Sequence, residues 1–138
     1  MQKTMGKHDF TRIPNGIPSL EERINLLYTY GVKAGKIDLN TFVNIASTQV
    51  AKIFDLFPRK GAIQPGADAD LVVYDPNYRG TISAGTQTMN VDYSAFEGWK
   101  IEGRPEVVTV RGQIAVRAGK FVGRQDRGKF LQRKPSHF

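Results

Sequence analysis

The sequence predicts an α+β fold: two or three helices, then a small antiparallel β unit, then a basic tail. Three observations lead there. Apolar residues recur at helical spacing up to about residue 58 and at a period of two after Gly61. Cap and turn residues punctuate the two stretches where those periods require them. All of the excess positive charge lies in the last quarter of the chain.

Residues 1–18 read as an irregular lead-in, with Pro14-Asn15-Gly16-Ile17-Pro18 as turn chemistry. Ser19-Leu20-Glu21-Glu22 fits a capping box, the Ser19 hydroxyl accepting from the Glu22 amide and the Glu22 carboxylate reaching back to Ser19. The helix expected over residues 19–30 carries Leu20, Ile24, Leu27 and Tyr28 at helical spacing, and Gly31 stands where a C-terminal stop belongs. Asp38 caps a second helix with Leu39, Phe42, Val43 and Ala46. Ser47 or Thr48 is placed to cap a third, with Val50, Ala51, Ile53 and Phe54 on its apolar face. Pro58 and Gly61 end the helical half.

Leu71-Val72-Val73-Tyr74 then reads as a buried strand closed by Asp75-Pro76. Val107-Val108-Thr109-Val110 is a second strand, and Arg111-Gly112 falls where a two-residue hairpin turn would sit before Ile114-Ala115-Val116-Arg117. Ala118-Gly119 makes the next turn, ahead of Phe121-Val122. Residues 83–103 show no clear period and read as loop.

With 138 residues the chain suits one domain and is too short for a complete (β/α)8 barrel, which needs on the order of 200 residues or more. The absence of cysteine excludes a disulfide framework, thiolate zinc sites and cysteine nucleophiles. A chain 40% hydrophobic and 24% charged has a globular rather than a disordered balance. No apolar run is long enough for a membrane span, and Met1–Lys7 leads into no signal-peptide core, so a soluble cytoplasmic protein with no membrane partner is expected.

The net charge of +7 is unevenly placed. Residues 1–103 hold 11 basic and 11 acidic side chains; residues 104–138 hold nine basic ones against Glu106 and Asp126. Arg104, Arg111, Arg117, Lys120, Arg124, Arg127, Lys129, Arg133 and Lys134 form no dense run and accompany no nucleic-acid motif. A solvated tail or assembly arm is the favoured reading over nucleic-acid binding.

The catalytic inventory is thin. His8 and His137 are the only histidines and lie at opposite ends of the chain, so no clustered metal ligands exist. Asp68, Asp70 and Asp75 lack calcium-loop spacing, and Pro65-Gly66 beside Asp68 reads as a turn. Ser83 and Ser94 have no histidine partner nearby. The glycines make no phosphate-cradling run, and Tyr93, Phe96 and Trp99 read as core. No catalytic residue and no metal ligand is assigned.

Three segments are recognisable together. Asp9-Phe10-Thr11-Arg12-Ile13-Pro14-Asn15-Gly16 resembles the loop near the end of the barrel in dihydropyrimidinases and D-hydantoinases. Gly61-Ala62-Ile63-Gln64-Pro65-Gly66-Ala67-Asp68-Ala69-Asp70-Leu71-Val72-Val73-Tyr74-Asp75 resembles the return into the β-sandwich of cyclic amidohydrolases. Val91-Asp92-Tyr93-Ser94-Ala95-Phe96-Glu97-Gly98-Trp99, with Arg111-Gly112-Gln113 and Gly119-Lys120-Phe121-Val122-Gly123, is similar to that family's last strands and hairpin.

The resemblance implies the C-terminal part of such an enzyme. Residues 1–58 would be the end of the amidohydrolase (β/α)8 barrel, 59–123 the C-terminal β-sandwich portion, and 124–138 a basic assembly arm. In the full-length relative, binuclear zinc would activate water to open a dihydropyrimidine or hydantoin ring in pyrimidine catabolism. None of those metal ligands is carried here, so this chain alone is expected to be inactive, with no cofactor of its own. Only the asparagine whose backbone meets the cyclic diamide carries over, onto Asn15. A homotetramer with reaching C-termini is implied, the tail packing on a neighbouring subunit. Without its barrel neighbours, Leu27, Phe42, Ile45 and Phe54 are expected to be exposed. The alternative is a non-catalytic assembly or binding protein of the collapsin-response-mediator type.

Overall fold

Two helices and a four-stranded antiparallel sheet make up the chain in a computed structural model, which describes residues 2–124, 126 and 128–133. Helix α1 covers residues 23–33: Arg23–Leu27 is α-helical and Tyr28–Lys33 continues it in wider turns. The capping box expected at Ser19 does not form. The chain does turn there, with the Arg23 amide donating to the Ser19 carbonyl at 3.1 Å. The Glu22 carboxylate, however, accepts from Ser94 Oγ at 2.9 Å and from the Gln87 side chain. Gly31 is not the stop either. It lies inside α1 and is buried, and a Cβ there would stand 3.1 Å from Ile37. The chain leaves α1 through Gly35, at φ +70°.

Asp38 caps helix α2 as its position predicts, its Oδ1 accepting from the Thr41 amide at 2.7 Å. That helix runs unbroken over residues 39–53, so the expected third helix is the continuation of the second. Thr48 has interior helical dihedrals and caps nothing; its hydroxyl donates to the Gly61 carbonyl at 2.8 Å. The helix is thereby tied to the turn that follows it.

Strands β1 (Val72–Thr81), β2 (Lys100–Val110), β3 (Gln113–Arg117) and β4 (Lys120–Phe121) pair in sequence order as a meander. Both hairpin turns have positive φ at their two central residues: Arg111 +47° and Gly112 +76°, then Ala118 +51° and Gly119 +75°. That is the primed geometry which matches strand twist. Asp75-Pro76 does not close β1. The register slips between Asp75 and Arg79, so Pro76 falls in an unpaired stretch where its missing N–H costs no ladder bond. The Asn77 amide donates instead to Asp75 Oδ1 at 2.9 Å. The stretch 83–103 is only partly loop, since β2 begins at Lys100 and Ala84–Thr86 forms a short helical turn.

Helix and sheet meet at Thr29, whose hydroxyl accepts from the Glu102 amide at 3.0 Å and donates to the Asn25 carbonyl at 2.7 Å. Tyr30 donates its hydroxyl to the Lys100 carbonyl at 2.9 Å. Beneath them, Tyr28 packs at a tilt of 51° against Tyr74 with ring centres 4.7 Å apart and meets Phe42 edge-on at 5.7 Å. Burial in this contact pushes the Tyr74 hydroxyl pKa far up. Gly103, at φ +75°, makes room for both rings.

The buried apolar core is small, namely Tyr28, Ala51, Ile82 and Ile101. Val72 and Val73, expected to be buried, are exposed, because nothing among the described residues covers the sheet faces there. Ile45 and Phe54 are exposed as expected, while Leu27 and Phe42 are half-buried against the sheet side. The accessible surface is 10147 Å², against about 7,200 Å² for a compact monomer of this mass. No helix among the described residues is long and apolar enough to cross a membrane. In the tail, Arg133 lies over the ring of Phe54 at 5.3 Å, a contact with the chain's own helix, and Phe130 is exposed. Arg127, Lys134, His137 and Phe138 lie outside the described residues.

Candidate functional site

The Asn15 loop is built by two short turns, Gln2–Gly6 and Phe10–Arg12. Asp9 caps the second, its Oδ1 accepting from the Thr11 amide at 3.1 Å and from the Thr11 hydroxyl at 2.7 Å. Gly6 is buried where Ile13 crosses it; a Cβ would sit 2.8 Å from the Ile13 nitrogen and inside its side chain. The Gln2 amide donates to both oxygens of Asp92, at 2.9 and 2.8 Å, which holds that carboxyl below its ordinary range. Gly16, at φ +72°, turns the chain immediately after Asn15.

These contacts leave Asn15 exposed on the rim of a shallow cavity of about 360 Å³, facing Ile17, Asn90, Val91 and Tyr93. Two segments singled out in the sequence, Ile13–Gly16 and Val91–Tyr93, are thus brought together from distant parts of the chain. A backbone amide and carbonyl on an exposed, tethered turn can pair with the complementary edge of a cyclic amide whatever the side chain is.

The other candidates resolve into structural roles. Asp68 accepts from Arg59 at 3.1 Å and lies 2.8 Å from Lys60, and Asp70 pairs with Lys60 as well. Asp70 Oδ1 also accepts from the Arg111 amide at 2.7 Å, anchoring the first hairpin turn. The Lys60 bond holds Asp68 below the usual carboxylate range. Burial opposes ionisation of Asp70, but Lys60 and the Arg111 amide outweigh it and its pKa also falls. Burial likewise works against charge on Lys60, and the two carboxylates overcome it and raise its pKa. Asp75 serves the Asn77 turn.

Ser83 Oγ accepts from the Gly85 amide at 3.3 Å, and Ser94 donates to Glu22 at 2.9 Å. Trp99 meets Phe96 and Tyr30 edge-on at 5.3 and 5.2 Å, a cluster that is half-exposed rather than core. His8 is exposed and His137 lies outside the described residues. Among the described residues no three His, Cys, Asp or Glu side chains converge as metal ligands.

Sequence reasoning missed the Glu22–Gln87–Ser94 group. Those residues are 65 and 72 positions apart, and no local spacing marks such a pairing.

The chain belongs to the amidohydrolase family, whose model matches residues 12–115. Within it the similarity is to hydantoinases and dihydropyrimidinases. Over 96% of its length the chain is 52% identical to the D-hydantoinase of Geobacillus stearothermophilus, spanning 28% of that protein. It is 46% identical to the dihydropyrimidinase of Rattus norvegicus over 97% of its length and 26% of that protein. The solved D-hydantoinase (dihydropyrimidinase) from Thermus sp. superposes with a TM-score of 0.93 at 63% identity, over 99% of this chain and 30% of that one. The chain therefore spans less than a third of the length of the relatives it matches.

Proposed function

We propose that this chain is the C-terminal portion of a cyclic amidohydrolase that opens dihydropyrimidine or hydantoin rings. Residues 1–58 end the barrel and supply one substrate-pocket loop, 59–123 belong to the β-sandwich, and 124–138 form an assembly arm of a homotetramer. The observation that carries this reading is the exposed Asn15 turn, tethered by Asp9, Gly6 and the Gln2–Asp92 bonds, in a chain similar to hydantoinases along its whole described length. The large accessible surface supports it, because Val72, Val73, Ile45 and Phe54 need a covering layer that these residues do not provide.

At the site, the Asn15 backbone fixes the ring by pairing with its amide edge, which orients the scissile carbonyl without contributing a proton or a nucleophile. The binuclear zinc of the full-length relative does not fit the donor set here, since the described residues bring no ligand cluster together. On this reading the residues that carry out bond cleavage come from the rest of the longer polypeptide.

The test uses the longer polypeptide that this reading implies. Asn15→Ala keeps the backbone amide and leaves KM for hydantoin or dihydrouracil within about twofold. Asn15→Pro removes one N–H and raises KM about tenfold, the effect of one lost hydrogen bond in a desolvated site. Equal KM values for the two variants would refute the pocket role.

A further inference from the structure

The sequence contains one Asn-Gly pair, Asn15-Gly16, and the structure places it in an exposed turn between Pro14 and Pro18. Neither residue of the pair lies in a helix or a strand. Gly16 has φ +72°, which glycine adopts at no cost, and a Cβ built on it would meet nothing within 4 Å. The space beside it is open, and its nitrogen is approached past a hydrogen where any other residue presents a side chain. Asn15 Cγ is separated from that nitrogen by Cβ, Cα and the carbonyl carbon, so a bond between them closes a five-membered imide. The other asparagines stand differently. Asn25 lies inside α1, Asn40 and Asn44 inside α2, and Asn77 in β1, where backbone hydrogen bonds resist the change in ψ that ring closure needs. Asn90 is followed by the β-branched Val91, which crowds the attacking nitrogen.

We propose that Asn15-Gly16 is a self-modification site, which passes through a cyclic imide to aspartate and isoaspartate with water as the co-reactant. The Gly16 amide gives its proton to solvent base, and its nitrogen forms a bond to Asn15 Cγ. The bond from Cγ to the side-chain nitrogen breaks, and ammonia leaves. Water then opens the imide at either carbonyl. Opening at Cγ restores the original backbone with aspartate at position 15. Opening at the backbone carbonyl carbon leaves the chain running through Cβ and Cγ, one methylene longer, with the former backbone carbonyl as a free carboxylate. Either product exchanges a neutral amide for a negative charge on the rim of the cavity shared with Ile17, Asn90, Val91 and Tyr93. The inference is independent of the ring-opening reading, because it concerns the covalent state of the turn and its test reads mass alone.

Incubation of the 138-residue chain at mildly alkaline pH, followed by trypsin and mass spectrometry, tests the site. Cleavage after Arg12 and Arg23 releases residues 13–23, in which Asn15 is the only asparagine and glutamine is absent, so a mass change there reports this position alone. The peptide should gain about 1 Da as NH2 becomes OH, relative to a sample digested without incubation. It should resolve into two forms, one of which accepts a methyl group from an isoaspartate methyltransferase. Conversion should outrun that at every other asparagine and should quicken as the pH rises, because the attacking nitrogen must first lose its proton. Gly16→Ala should slow it at least about tenfold, since the added methyl crowds the attack. Alanine at positive φ can itself shift the turn, so Asn15→Gln is the second variant. Closure there needs a six-membered ring, and its peptide should keep its mass. A wild-type peptide of unchanged mass, over a period in which a free synthetic peptide of residues 13–23 converts, would show that the folded turn prevents closure and would overturn the proposal. Conversion as fast at Asn77 or Asn90 would overturn it as well.

Discussion

The β-meander and helix α2 reach their structures by different routes. The β2–β3–β4 part of the meander is determined locally: two turns with paired positive φ, Arg111-Gly112 and Ala118-Gly119, join its strands, which pair in sequence order. Helix α2 forms with a good cap at Asp38 but leaves Val43, Val50 and Phe54 exposed on one face, at i, i+7 and i+11. The sheet is closed by its own hydrogen bonds; the helix is stabilised on one side only. The sheet's ladder bonds form within the chain, whereas apolar burial is deferred to a surface that the described residues do not contain.

The largest expected effect strikes where the two regions join. Gly103→Ala would place a Cβ 2.6 Å from Tyr74 and 2.8 Å from Tyr28, at a φ of +75°. Strain and overpacking together should cost about 3 kcal/mol, read as a fall in the urea midpoint with an unchanged slope. Phe54→Ser sharpens the contrast itself. In the 138-residue chain, where Phe54 is half exposed, the change should cost under about 0.5 kcal/mol. In the longer polypeptide it should cost about 2 kcal/mol or more, through loss of a buried ring. Equal small effects in both would mean that α2 never acquires a cover.

The anchor between the two regions is electrostatic and titrates. Asp68 and Asp70 have lowered folded pKa values, so their contribution is present above the ordinary value of 3.8 and is lost as the pH falls through the lower folded values. Lys60 has a raised folded pKa, so its contribution is intact below 10.5 and fades as the pH climbs above that. Lys60→Met should flatten both edges of the stability–pH curve; an unchanged acid edge would show that the cluster is not the anchor. Smallest is Ala118→Asn. It places the favoured Asn-Gly pair at φ +51° and +75° and should stabilise the hairpin by about 0.5 kcal/mol in thermal unfolding.

Legibility in the sequence followed the same division. The Asp38 cap and both two-residue turns were readable because their chemistry sits within four residues of its effect. The Ser19 capping box failed because Glu22 found long-range partners in Gln87 and Ser94, a competition invisible to local spacing. Gly31 looked like a helix stop, but it is glycine for the close approach of Ile37. Pro76 looked like a strand end, but a register slip absorbs it. Asn15 is a candidate through resemblance alone; what positions its loop, Gly6 under Ile13 and Asp92 on Gln2, gives no pattern in the sequence.

If the proposed assembly arm holds subunits together, deleting residues 124–138 should lower the mass of the longer polypeptide in light scattering, since an arm set with Phe130 and Leu131 among basic residues suits a subunit contact. An unchanged mass would return the tail to the role of a solvated terminus.

The assignment of a catalytically empty portion of a cyclic amidohydrolase is tested most directly on the purified 138-residue chain. Zinc is measured by elemental analysis after dialysis, and opening of dihydrouracil and hydantoin is followed with zinc added. A chain that positions substrate but lacks the metal ligands retains no stoichiometric zinc and turns over no faster than a buffer blank. Tightly held zinc at one or more equivalents, together with turnover above that blank, would contradict the assignment.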